Sequence, residues 1–188
     1  SPAITEAKRL IDSGELGPVL GACTSNHGSM PGSWFVQKEK SGGGAVIDHT
    51  VHVVDVLRYM FEDEVESVYA EYATRLHDLD VEDVGQLLLR FRKGAVVSLD
   101  TSWSRPKSFP IWGDVIIDLK AEAANLSING FPKQMNHYDD RTMRHTATSP
   151  GEDLDALMLE EFAASILENR EPLVTGEDGM RAVEVALA

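Results

Sequence analysis

The clearest pattern in the chain is a helical one. From Ala45 to Phe61 ("AVIDHTVHVVDVLRYMF") apolar residues recur around nearly the whole circumference, which predicts a largely buried helix. An earlier, shorter helix is predicted around Thr5, Glu6 and Ala7, with Ala7, Leu10 and Ile11 sharing a face and Gly14 ending it. Gly17 to Gly28 reads as a strand, and Ser29 to Ser41, with Pro31 and Gly32, as a loop. Period-two alternation then takes over. Val65 to Arg75 is one strand, Val84 to Trp103 a hairpin turning at Lys93-Gly94, and Asp114 to Gly130 two short strands. Phe131 to His145 is expected to add one or two irregular strands. Helical spacing returns over Leu154 to Glu168 and Asp178 to Ala188.

Consecutive strands with helices segregated from them predict an α+β fold. It would be an open, mixed, largely antiparallel sheet with helices on one face. Residues 1–188 fit a single domain. The uncovered sheet face is expected to be broadly apolar and so a contact for homo-oligomers. Both ends read as cuts through a longer protein: a helix follows Ser1 almost at once, and the chain stops inside the apolar pattern "GEDGMRAVEVALA".

Charge narrows the partners. Seventeen basic against 31 acidic residues give a net charge of −14, which argues against nucleic acid and anionic membranes. A single cysteine, Cys23, cannot form an internal disulfide, so a cytoplasmic setting is expected, with Cys23 a small core residue of its strand.

The chemistry gathers on the long helix. With about 100° per residue and Asp48 at zero, His52, Asp55 and Tyr59 fall at roughly 40°, 340° and 20°. Two carboxylates, an imidazole and a phenol therefore share one narrow stripe that lacks the Lys, Glu and Gln of a solvent face. Such a stripe faces a polar cavity or a buried partner. Gly42, Gly43 and Gly44, just before the helix, suit close packing or pocket geometry. Asp48 lies where the helix dipole favours an anion, and His52 is expected within hydrogen-bonding range of it, an arrangement suited to proton transfer. Structural readings stand beside this one: Asp48 as a cap, His52 as a satisfied core histidine, Asp55 as an arginine partner. A metal site, with His49, His52, Asp48 and Asp55 completed by His27, His137 or His145, finds no supporting spacing, and none is expected. Trp34 and Trp103 would line a pocket or pack in the core.

These residues resemble a known family. "SGGGAVIDHTVHVVDVLRYM" is similar to the signature of the Gfo/Idh/MocA oxidoreductases: a triple glycine, then Asp, three residues, His, two residues, Asp. "PAITEAKRLIDSGELGPVLG", "GSWF" and "TGEDGMRAVEVALA" extend the likeness along most of the chain. The resemblance implies the C-terminal, substrate-binding and oligomerisation domain of a two-domain dehydrogenase acting on sugars, inositols or polyols with NAD or NADP. His52 would be the proton-transfer residue and Asp48 its orienting or substrate-binding partner. Trp34, Lys38, His27, His49 and Trp103 are candidate substrate contacts, with Gly42, Gly43, Gly44 and Asp55 shaping the pocket. The family's glycine-rich dinucleotide fingerprint and its Glu-Lys-Pro motif are missing here, so the N-terminal Rossmann domain is expected to lie outside this chain. The chain alone is then expected neither to bind the cofactor nor to turn over substrate. The rival reading is a non-catalytic ligand-binding or assembly module of the same fold.

Overall fold

The computed structural model describes residues 1–109, 112–130, 134–139, 141–148 and 153–188. Helix α1, Pro2–Asp12, begins three residues before Thr5 because Pro2 suits the first helical turn, where its fixed φ and missing N–H cost nothing. Ala3, Ile4, Ala7 and Leu10 form its buried face. Strand β1, Val19–His27, follows, then a single 3-10 turn at Ser33–Val36 and a short helix α2, Lys38–Ser41, where a loop was expected. Helix α3, Ala45–Phe61, has the predicted limits.

Strands β2 (Val65–Ala73), β3 (Val84–Phe91), β4 (Val96–Ser102), β5 (Ile116–Ala121), β6 (Ala124–Asn129), β7 (Gln134–Asp139) and β8 (Arg144–Thr148) come next. Helices α4, Leu154–Leu167, and α5, Gly176–Leu187, close the chain. All eight strands join one sheet in the order β2-β3-β4-β1-β5-β6-β7-β8. Only β1 and β4 pair in parallel; every other neighbour is antiparallel. The segment from Phe131 to His145, expected to add one or two irregular strands, supplies β7 and the start of β8, regularly paired; its residues 131–133 and 140 lie outside the described residues.

Alternation divides the sheet into two faces. Ala22, Leu87, Leu89, Val97, Leu99, Ile117, Leu119 and Leu126 point inward and are buried with Val53, Val54, Leu57 and Met60 of α3 in one core. Helix α3 covers β1, β3 and β4, α1 covers β6 and β7, and α5 packs on α3.

The outer face departs from expectation. One row across it reads Tyr69, Leu88, Ser98, Cys23, Asp118 and Ser127, and the next Glu71, Gln86, Asp100, Ser25 and Ile116. The face is mixed rather than broadly apolar, because the alternation that buries the aliphatic residues leaves polar ones outside. Cys23 lies in this row and is exposed, not a core residue. Among the described residues no helix is long and apolar enough to cross a membrane.

Candidate active site

The site begins where α2 stops. Gly42 adopts the left-handed conformation (φ 82°) that ends α2, and Gly44 occupies the N-cap of α3. Having no side chain, Gly44 cannot cap the helix itself. Glu82, 38 residues further on, does so: its Oε1 accepts from the N–H groups of Gly44 (2.6 Å) and Val46 (3.2 Å). Its carbonyl accepts from Ala45 N–H at 2.8 Å. The glycine is needed for this contact, since a Cβ on Gly44 would lie 1.9 Å from the Glu82 carbonyl oxygen. A carboxylate thus sits on the positive end of the helix dipole.

One turn in, Asp48 is held from beneath. The Trp103 indole N–H donates to its Oδ2 at 2.9 Å, and His49 Nε2 lies 3.3 Å from the same oxygen. His49 Nδ1 lies 2.7 Å from the main-chain oxygen of Asn26, to which it donates. His49 and Trp103 are each 1% exposed, so neither lines a surface, although both were candidate substrate contacts. The partner expected for Asp48 was His52, but no hydrogen bond or ion pair joins them. The carboxylate is drawn instead towards the residue following β4 and the neighbouring ring.

The electrostatics set these groups apart. Burial pushes the Asp48 carboxyl up, but hydrogen bonds from His49 and Trp103, with the charges of His49 and His52, outweigh it and hold its pKa below the usual value. The His52 ring reaches solvent yet sits in a recess that strips much of its hydration. That desolvation, with repulsion from His49, outweighs the pull of Asp48 and Asp55 and lowers its pKa, which favours the neutral imidazole. Asp55 moves the other way: burial and the nearby charge of Asp178 raise it against Arg58 and His52.

The predicted stripe runs along three adjoining depressions. Asp48 and His52 border the first, about 240 Å³, with Trp34, Phe35, Ser41, Gly43 and Gly44. His52 and Asp55 border the second, about 570 Å³, between α3, β1 and α5. Asp55 and Tyr59 border the third, about 410 Å³. Trp34 is 48% exposed and stacks on Phe35 with ring centroids 4.0 Å apart.

Other expected residues are elsewhere. Lys38 borders a separate recess with Gly42, Glu82 and the end of α5. His27 points to the opposite face of the sheet, with Nε2 3.3 Å from Asp100 and Nδ1 3.6 Å from Asp114, which also pairs with Arg105. Among the described residues no three His, Cys, Asp or Glu side chains converge as metal ligands.

Two residues of the second depression escaped the sequence reading. Trp112, 58% exposed, forms part of its wall. Asn26 is fully buried beside it; its Nδ2 donates to the Asp114 carbonyl at 2.5 Å, and its Oδ1 has no partner among the described residues. The signal for Asn26 was parity: it occupies the same strand face as Ala22 and Thr24, and so points inward.

The fold is shared by a class of solved oxidoreductases. A levoglucosan dehydrogenase in complex with NADH superposes with a TM-score of 0.86 at 20% identity, covering 100% of this chain and 59% of that one. An oxidoreductase domain protein from Kribbella flavida gives 0.84 at 20% identity, with the same coverage. The chain itself belongs to the GFO/IDH/MocA family: residues 4–119 match its C-terminal domain. In sequence it is 27% identical to a scyllo-inositol 2-dehydrogenase (NAD(+)) of Bacillus subtilis, across 100% of this chain and 56% of that protein. A myo-inositol 2-dehydrogenase of Thermotoga maritima is 25% identical over 96% of this chain and 55% of its own length. The chain thus spans little more than half the length of these curated relatives.

Proposed function

We propose that this domain is the substrate-binding and catalytic half of an NAD(P)-dependent dehydrogenase that oxidises a secondary hydroxyl of a sugar, inositol or related polyol. The observation that carries the reading is the position of His52. Its imidazole is open to solvent at the junction of two depressions and is biased to the neutral form, one turn from an anchored carboxylate. A neutral imidazole accepts the proton of a substrate hydroxyl as the C–H bond gives up its hydride; Asp48 accepts a hydrogen bond from a hydroxyl and orients the ring of the substrate. Trp34 and Trp112 offer apolar faces against which a sugar ring stacks.

The hydride acceptor, NAD or NADP, finds no phosphate cradle at the glycine run, because the N–H groups at the start of α3 already bind Glu82. Its binding, and turnover with it, are assigned to the part of the parent protein outside this chain. Homo-oligomers are placed on the outer sheet face, around the exposed Tyr69, Leu88 and Val96.

The test uses the full-length protein with NAD+ or NADP+ and a panel of inositols and neutral sugars, following reduced cofactor at 340 nm. Replacing His52 by Ala is expected to lower kcat by about 10²–10⁴-fold with folding intact. Unchanged turnover in that variant would refute the role of His52. Binding of a polyol with no reduction of either cofactor would favour the non-catalytic module.

A further inference from the structure

We propose that His49 and Trp103 are positioning residues for Asp48, which together hold one carboxylate oxygen from inside the domain and leave the other for the substrate. The inference deepens the function proposed above and rests on it for its bearing on turnover. Both donors converge on Oδ2, at 2.9 Å from the indole and 3.3 Å from the imidazole, while no hydrogen bond among the described residues engages Oδ1.

Each donor is itself fixed. The main-chain N–H of Trp103 donates to the Asp83 carbonyl at 2.9 Å, which sets the indole at the end of β4. His49 is clamped between the Asn26 carbonyl and Asp48. The end of β1 lies so close to its ring that a Cβ on Gly28 would sit 3.0 Å from both Cε1 and Nε2.

The chemistry of the clamp is restrictive. A carbonyl oxygen only accepts, so Nδ1 of His49 must carry a proton. Nε2 then meets the Asp48 carboxylate as a second N–H donor, or accepts from the protonated acid. In either form one proton lies between Asp48 and His49, on the side of the carboxylate that the buried His49 ring faces. The other titratable groups about Asp48 are His52, one turn along the helix, and Glu82 at the helix start. Neither hydrogen-bonds it. The depressed pKa of Asp48, despite its burial, agrees with this arrangement.

Two substitutions separate the halves of the clamp. Asn places a donor near the Nδ1 position and keeps the link to Asn26, whereas Gln places one near Nε2 and keeps the link to Asp48 without the charge. The full-length protein is labelled with ¹³C-carboxyl aspartate, and the Asp48 resonance is identified by its loss in Asp48→Asn. Its titration midpoint is then followed with pH, without substrate or cofactor. The result therefore stands or falls separately from the dehydrogenase reading.

His49→Asn is expected to raise the midpoint by about one pH unit or more, and His49→Gln and Trp103→Phe by smaller amounts. A midpoint unmoved in folded His49→Asn overturns the proposal, as does an equal shift in the Asn and Gln variants. Where His49→Asn does not fold, Trp103→Phe and His49→Gln decide: no displacement in either overturns it. A role in packing alone would lower stability and leave the midpoint where it was.

Discussion

The contact between Gly44 and Glu82 can be tested by adding one methyl group. In Gly44→Ala the new Cβ would start 1.9 Å from the Glu82 carbonyl oxygen, with the carbonyl carbon and nitrogen of the same residue at 2.9 and 3.0 Å. These are backbone atoms and cannot swing aside, so restoring ordinary contact requires the segment leading into β3 and the start of the helix to part by about 1.5 Å. That movement breaks the three hydrogen bonds which Glu82 accepts from Gly44, Ala45 and Val46. Two of them end on a carboxylate and stabilise by about 1.5–3 kcal/mol each, the third by about 0.5–1.5. Allowing for partial recovery as the helix end adjusts, the substitution should cost about 3–5 kcal/mol, a large share of the roughly 5–15 kcal/mol that holds a domain together. Urea unfolding followed by circular dichroism measures it. Glu82→Gln, which keeps an acceptor but removes the charge at the helix end, should cost only about 0.5–1 kcal/mol. Gly179→Ala in α5, where a Cβ meets nothing within 4 Å, should stabilise by about 0.5–1 kcal/mol. If Gly44→Ala unfolds within about 0.5 kcal/mol of the parent, close approach is not the reason for the glycine.

Two further predictions concern carboxylates. Asp83 is fully buried; burial opposes its ionisation, but the N–H groups of Arg75, Leu76 and His77, each within 2.8 Å, with the His77 ring outweigh it and lower its pKa. Asp83→Asn should therefore cost about 2–4 kcal/mol at neutral pH. A depressed carboxylate contributes stability above its unfolded value and loses it as pH falls through the folded one, so urea midpoints of parent and variant should converge in acid. Asp55 has the opposite sign: its raised pKa makes its charged form a cost above that value, so Asp55→Asn should be more stable than the parent at neutral pH and equal to it in acid. Thermal melts at both pH values check this, and a destabilised variant at neutral pH would contradict it.

How much of this was legible beforehand depends on the range of each interaction. Helix α3 was readable because its pattern is local, and so was the stripe from Asp48 to Tyr59, because helix geometry fixes which residues share a face. The hairpin at Lys93-Gly94 was readable from alternation and turn chemistry. The partners of Asp48 were not: Trp103 is 55 residues away, and His49, though next in sequence, is turned towards Asp48 by its contact with Asn26 of β1, so one helical turn pointed to His52 instead. Glu82 was invisible as a cap for the same reason. His27 was a different error, since the inward positions Ala22, Thr24 and Asn26 already required it to face outward. The mixed outer face shows the same neglect of parity, because Cys23, Ser25, Ser98 and Asp100 were in plain view as alternate positions.

The placement of β1 between β4 and β5 governs the order in which the domain can be assembled. It leaves the ribosome first among the strands, but one of its long-range contacts, Thr24 Oγ1 to the Ser98 carbonyl, joins residues 74 apart. During synthesis the β2-β3-β4 meander can close on itself while β1 still shows two bare edges. A ribosome stalled between the codons for β4 and β5 would hold a three-stranded meander docked on β1, with the far edge of β1 open to pairing with another nascent chain.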